Sequence, residues 1–288
     1  MVINKKFSMK FTSIFKYLSI IILSTGLVAV SLNAYDNSDN LSESVIGRIL
    51  GVEEKGPCSK DMVFVLNSDG GFCIDKYEVS PGDACEYLDP SSEEQTALNI
   101  NNSNCHGVSL ESANPWRYVS QIQAAEICAK AGKRLPSNAE WMRAALGTPD
   151  KNDKWTSEDC QLDSNWESQP GLTGSASLCV SSVGAYDMIG NVWEWVDESS
   201  YDGKIDEFHL PEEGYLWGVT LDGIPTNTDF DSSNSSYSND YLWIKDKGHR
   251  GVSRGGYWKN KDMGGRYSMY IVLPPSSSGA GLGFRCVK

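Results

Sequence analysis

The chain has 288 residues, with 25 Lys and Arg against 38 Asp and Glu, for a net charge of −13. That excess of acid repels nucleic-acid phosphates and anionic lipid headgroups, so neither is an expected partner. Eight cysteines point to an oxidising compartment in which all of them can pair, because no C-x-x-C metal or redox pattern occurs.

Residues 1–34 hold Lys5, Lys6, Lys10 and Lys16, no acid, and an apolar run from Tyr17 to Leu32. This reads as an export signal, which places the mature chain outside the cytoplasm: secreted, periplasmic or at the cell surface. The run is shorter than the ~20 apolar residues of a comfortable span. Ala34 offers a small residue for cleavage, although Leu32 two positions earlier is imperfect. An uncleaved anchor is the alternative, and the one route by which a membrane would be involved. The first cysteine is Cys58, too far from the signal for a lipid anchor. Residues 35–57 are rich in Ser, Asn, Asp and Glu and read as a polar tether. Residues 58–288 carry no second linker or internal repeat, and at about 230 residues they read as one domain.

Phe64–Leu66 and Phe72–Ile74 flank the turn-rich Asn67–Gly71 run and predict a hairpin, whose second strand continues through Tyr77-Glu78-Val79. Ser120 and Gln123 form a capping box that opens a helix ended by Gly132, with Ile122, Ala125, Cys128 and Ala129 on its buried face. Ser137 and Glu140 repeat the device for a helix reaching Leu146, with Trp141, Ala144 and Ala145 inward. Arg134, between the helices, is expected to pair with an acid. From Tyr201 to Gly251 the text is loop-like, with Trp217, Tyr241 and Trp243 expected to form a small core of their own. Asp229, Asp231 and Asp240 there read as a solvated acidic loop.

The densest stretch is Gly190-Asn191-Val192-Trp193-Glu194-Trp195-Val196. In an extended strand Trp193 and Trp195 share one face and Glu194 takes the other. With Asp187 before it and a Gly-Asn bend between, the stretch offers oxygen ligands suited to a hard cation such as calcium. An aromatic hairpin with two solvated acids is the competing reading. Further on, Arg266 to Val272 alternates as a half-buried strand, with Tyr267, Met269 and Ile271 on one side and Arg266, Ser268, Tyr270 and Val272 on the other.

Lys133-Arg134-Leu135-Pro136-Ser137-Asn138-Ala139-Glu140-Trp141, Tyr186 to Trp195, Arg254-Gly255-Gly256-Tyr257-Trp258 and Gly283-Phe284-Arg285-Cys286 resemble, in that order, the signature blocks of the formylglycine-generating enzyme (sulfatase-modifying factor) family. The similarity runs from about Phe72 to Lys288. It implies an α+β, C-type-lectin-like single domain with long loops, few helices and short mixed strands. It also implies a structural calcium held by the side chains of Asp187 and Glu194 and the carbonyls of Gly190 and Val192. Sequence proximity favours the bridges Cys58–Cys73, Cys85–Cys105 and Cys160–Cys179; the resemblance adds Cys128–Cys286.

Enzymes of the resembled family oxidise a client cysteine with copper held by two thiolates. The matching positions here are Asn260 and Gly265, and the accompanying serine position is Tyr257. No cysteine lies between Cys179 and Cys286, so copper is not expected. Other members of the wider family use iron held by histidines. His106, His209 and His249 lack any short-range ligand spacing, so iron is not expected either. Tyr257, Lys259, Asn260, Asp262, Arg266, Ser268 and Tyr270 instead mix aromatic, charged and small polar groups, a composition suited to recognition. The framework around them resembles the variable proteins of diversity-generating retroelements, which vary surface residues just before a C-terminal Gly-Phe-Arg. The leading expectation is an exported binding or display protein that uses its 257–273 surface, with a protein or glycan ligand of unknown identity. The alternative is a divergent formylglycine-generating oxidase, or a maturation factor that binds sulfatases without oxidising them.

Overall fold

Asn67 sets the first hairpin. Its Oδ1 accepts from the backbone N–H groups of Asp69 at 2.9 Å and Gly71 at 2.8 Å, closing a side-chain-capped turn between antiparallel strands β1 (Met62–Val65) and β2 (Phe72–Asp75). The structure, a computed structural model, describes residues 57–151 and 154–288. The expected signal and nearly all of the tether lie outside the described residues. Pro57–Lys288 forms one unit.

The chain leaves β2 at Asp75 rather than continuing it, and Val79 opens a separate strand, β3 (Val79–Pro81), paired with β4 (Gly107–Ser109). Between them lies a helix the sequence pattern did not announce, α1 (Glu93–Asn101), capped by Ser92. Its apolar periodicity is weak and its buried face includes the polar Thr96 and Asn99, which hides it from a search for apolar stripes.

Helices α2 (Gln121–Lys130) and α3 (Asn138–Ala145) both start at the expected capping boxes. The buried face of α2 is rotated from expectation: Gln121, Ala124, Ile127 and Cys128 are inside, while Ile122 is 59% exposed. The rotation has a polar cause, since the Gln121 amide donates to the carbonyls of Val196 and Glu198. On α3, Trp141, Ala144 and Ala145 are inward as the pattern requires. Arg134 pairs with Glu140 at 2.6 Å.

A nine-stranded sheet organises the rest. Its order is β7-β6-β5-β11-β12-β10-β8-β9, with β13 also pairing β5. The strands are β5 (Trp193–Tyr201), β6 (Lys204–Ile205), β7 (Phe208–His209), β8 (Gly214–Val219), β9 (Pro225–Asp229), β10 (Tyr241–Ile244), β11 (His249–Arg254), β12 (Met269–Ile271) and β13 (Leu282–Phe284). The 201–251 stretch is therefore not a loop with a private core. It supplies five strands, its Leu216 and Leu242 sit in the main core, and Trp217 is 49% exposed. Short strands broken by Gly, Asp and Asn carry too little local signal, and pairing with neighbours decides them.

β5 separates two apolar clusters. Trp193 and Trp195 face one, with α2 and β13; Val196 joins the other, with α3, β8, β10 and β12. All four expected bridges are present: Cys58–Cys73, Cys85–Cys105, Cys128–Cys286 and Cys160–Cys179. The long one spans 158 residues, and closing so long a loop contributes about 4 kcal/mol or somewhat more in the chain-entropy account.

Candidate functional site

Trp193 opens β5 with its ring edge-on to Trp243 at 5.4 Å and tilted against Tyr270 at 5.6 Å. Tyr257, on the loop after β11, closes the group. Its ring lies over Gly281, where a Cβ would come within 2.7 Å of it. Trp193, Tyr257, Tyr270, Leu273 and the Gly279–Leu282 backbone line a pocket of about 320 Å³ that contains no charged side chain. Burial pushes the Tyr270 phenol above its usual range, so it stays neutral. Among the described residues neither tyrosine hydroxyl has a hydrogen-bond partner. The walls thus offer apolar ring faces with unpaired polar tips, the composition of a small-ligand site.

The sequence-predicted recognition set is only partly assembled. Tyr257 and Tyr270 meet at this pocket. Lys259 is exposed on the same loop, and Asp262 accepts from the Asn239 amide at 3.1 Å. Asn260 and Ser268 are corrections, because both are buried rather than outward. Asn260 Oδ1 accepts the backbone N–H of Tyr257, so it shapes the loop. Ser268 Oγ donates to the Met263 carbonyl and accepts from Tyr241 N–H. Arg266 turns away towards Thr148 and lies over the Tyr267 ring. Strand alternation does not find Trp193, Leu273 or Gly281, since they come from three separate segments.

A second centre lies on the opposite side of β5. Glu194, which alternation turns away from the tryptophans, is buried against Arg285 at 2.6 Å and accepts from Trp141 Nε1 at 2.6 Å. Asp187 Oδ2 accepts from Gly174 N–H at 2.6 Å, and Glu78 Oε2 from the Asn191 amide at 2.8 Å. Asp187 Oδ1 and Glu78 Oε1 are buried without a donor. Burial pushes the Asp187 carboxyl up to about 7, and burial followed by the charges of Asp187 and Glu194 pushes Glu78 well up. Glu78 was expected only to build sheet. The signal for it was an acid set between Tyr77 and Val79. The turn itself is as bent as its Gly-Asn text requires, with Asp187, Gly190 and Asn191 all at positive φ. Among the described residues no three His, Cys, Asp or Glu side chains converge as metal ligands. A cation here therefore rests on two carboxylates plus backbone oxygens, and the two donorless acid oxygens fit one.

With this geometry in hand, the sulfatase-modifying factor enzyme 1-like domain matches residues 66–288. The chain belongs to the sulfatase-modifying factor family. Its relatives include the bovine (Bos taurus) protein named inactive C-alpha-formylglycine-generating enzyme 2, 30% identical over 38% of this chain and 40% of that one. The formylglycine-generating enzyme of Thermomonospora curvata is 33% identical over 28% of this chain and 32% of its own. The matches to curated relatives thus reach no more than 40% of their length. Among solved structures, the Major Tropism Determinant M1 variant aligns with a TM-score of 0.43 and 18% identity, covering 81% of this chain and 53% of that one.

Within the sulfatase-modifying factor domain, Asn260 and Gly265, the positions expected from the resemblance to match copper thiolates, are backbone-shaping residues. Asn260 Oδ1 holds its own loop by accepting from Tyr257 N–H at 2.8 Å. Gly265 has no room for a side chain, since a Cβ would lie 1.8 Å from Asp240 Oδ1 and 2.9 Å from Asp150 Oδ1. All eight cysteines are in bridges. Asp240, expected in a solvated loop, is instead fully buried.

Proposed function

We propose that this sulfatase-modifying factor family protein is an exported ligand-binding protein that uses the Trp193–Tyr257–Tyr270 pocket, rather than an oxidase. The observation that carries the reading is the pocket itself, three converging aromatic rings with unpaired polar tips and no charged wall. Such walls take a neutral group with an apolar face, presented by a protein or a glycan. The crowding at Gly265 and the pairing of every cysteine argue against copper(I) chemistry at the matching positions. The word inactive in the name of the bovine relative is in keeping with this. The four bridges accord with export.

The test is binding by the oxidised protein to a glycan array and to a panel of purified surface proteins. A hit should lose at least tenfold in affinity in Tyr270→Ala with the bridges and fold intact, and should quench tryptophan emission. Formylglycine formation on a sulfatase peptide, or stoichiometric copper(I) binding with thiolate charge-transfer absorption, would reverse the reading in favour of a divergent oxidase.

We also infer a hard dication, calcium, at the Asp187–Glu194 turn. When bound, it supplies positive charge to a cluster that holds three acids and one guanidinium.

A further inference from the structure

Glu78, Asp187, Glu194 and Arg285 are each no more than 1% exposed, so water solvates none of them. Their hydrogen bonds are shared out unequally. Glu194 Oε1 accepts from Arg285 Nη2 at 2.6 Å and Nε at 2.9 Å, and Oε2 from Arg285 Nε at 2.7 Å and Trp141 Nε1 at 2.6 Å. The single Arg285 Nε–H is shared between the two oxygens, so three N–H groups hold this carboxylate and neither oxygen is without a donor. Recruiting Glu194 to a cation would strip the guanidinium of its partner inside the core, the costly way to break a buried pair.

Asp187 and Glu78 are the reverse. Each has one oxygen anchored, by Gly174 N–H and by the Asn191 amide respectively. Each keeps its other oxygen buried with no donor. Tyr186 N–H donates to the Lys76 carbonyl at 2.8 Å and the Tyr77 and Tyr186 rings stack at 5.2 Å, so Glu78 and Asp187 follow on directly from two segments in contact. With all three carboxylates ionised, one guanidinium would leave two negative charges, the number that a single dication balances.

We propose that Glu78 and Asp187, and not Glu194, supply the side-chain oxygens of the hard-cation site at this turn, with Glu194 reserved for Arg285. The assignment rests on the cation reading above and changes its ligand set. Oxygen-only ligation and a bent, carbonyl-rich turn suit calcium, which takes six to eight oxygens and tolerates irregular geometry, better than magnesium, which demands a near-ideal octahedron. Asn191 holds Glu78 from one side and receives Gly171 N–H on its Oδ1 at 2.9 Å. The cation would thereby tie the 171–174 loop, the turn and β3 together.

The experiment uses the oxidised full chain with calcium chloride, magnesium chloride or EDTA. It follows the Tm, calcium stoichiometry by equilibrium dialysis, and tryptophan-sensitised terbium emission with its displacement by calcium. Wild type should bind one calcium, gain Tm over EDTA, and prefer calcium to magnesium. Glu78→Gln and Asp187→Asn should each weaken calcium at least tenfold. Glu194→Gln should lower the Tm in EDTA, because the Arg285 pair is lost, yet keep the calcium gain and the terbium signal. Loss of binding in Glu194→Gln with retention in Glu78→Gln would overturn the assignment while leaving the cation reading standing. A wild type that binds no calcium removes both. Should Glu78→Gln fail to fold, Glu194→Gln decides alone: retained binding supports the assignment and lost binding overturns it.

Discussion

Trp141 stands between two buried centres of acids and arginines that are wired differently. On one side its indole Nε1 donates to Glu194, in the group with Glu78, Asp187 and Arg285. On the other its ring carries the Arg254 guanidinium at 5.2 Å, in a group with Asp150, Asp240 and Arg266. In the first centre the guanidinium bonds a carboxylate directly, and two acids are left over. In the second each charge is bonded to backbone instead. Asp150 and Asp240 accept the consecutive N–H groups of Arg266 and Tyr267, while Arg254 donates to the carbonyls of Gly223 and Arg266. Acids and bases there act on one another only through space. Burying acids beside arginine therefore does not by itself fix the response. The first centre should answer most strongly to removal of its cationic partner, whereas in the second packing and protons are what remain to act.

The largest effect should come from the direct pair. Arg285→Ala leaves Glu194 buried and unpaired and should cost about 3–5 kcal/mol. Arg254→Ala gives up hydrogen bonds to neutral carbonyls and should cost less, about 1–3 kcal/mol. Urea unfolding of both variants checks this, and equal losses would erase the distinction between the centres.

Packing comes next. Gly265→Ala forces a methyl group against Asp240 Oδ1, at 1.8 Å before relaxation, and overpacking of this kind should cost about 1–3 kcal/mol. A neutral result by thermal unfolding would mean that the two aspartates do not close on Gly265. The same crowding predicts that a cysteine placed there fits no better.

Protons should give the smallest effect. Burial pushes Asp150 from 3.8 up to about 6, against the bond from Arg266 N–H and its charge, and pushes Asp240 well up, with the Asp150 charge adding to it. A carboxyl raised on folding contributes stability that is fully present below pH 4 and is lost as pH rises through about 6. Discounted for the partial exposure of Asp150, the loss should be about 1–2 kcal/mol. The difference in unfolding free energy between wild type and Asp150→Asn, measured from pH 4 to 7, should change by that amount. A flat difference would remove the proton from the second centre.

The first centre was half legible in the sequence and the second was not legible at all. Asp187 and Glu194 stand seven residues apart around a Gly-Asn bend, a pattern that one short window can hold. Arg285 and Glu78 lie far away along the chain, and only the pairing of β13 with β5 brings Arg285 to Glu194. Capping at Ser120 and Ser137 was readable because a cap is a local bargain between neighbouring residues. The face of α2 was not, because Gln121 answers to carbonyls on β5. The bridge partners combined local spacing for three with family text for the fourth. Strands β6 to β10 were read as loop, since each is short and owes its form to a neighbour rather than to its own alternation. The pocket showed the same limit. Tyr257 and Tyr270 were named, and Trp193 was noticed for another reason, but nothing in any one segment says that the three rings meet.

The last strand has a consequence for the order of assembly. β13 runs parallel to β5, Cys286 N–H and Lys133 Nζ meet on Asp75, and Lys288 exchanges backbone hydrogen bonds with Cys73. A growing chain that has reached residue 270 already holds β5 and β11, yet it lacks the strand that covers their junction with α2. Three bridges close loops of 15 to 20 residues and can form while synthesis continues, whereas the partner of Cys128 lies 158 residues further on. Closure over so long a separation is slow. The domain should therefore mature from local knots to a single late clasp. Pulse-labelled chains trapped early should carry the three short bridges and an open thiol at Cys128.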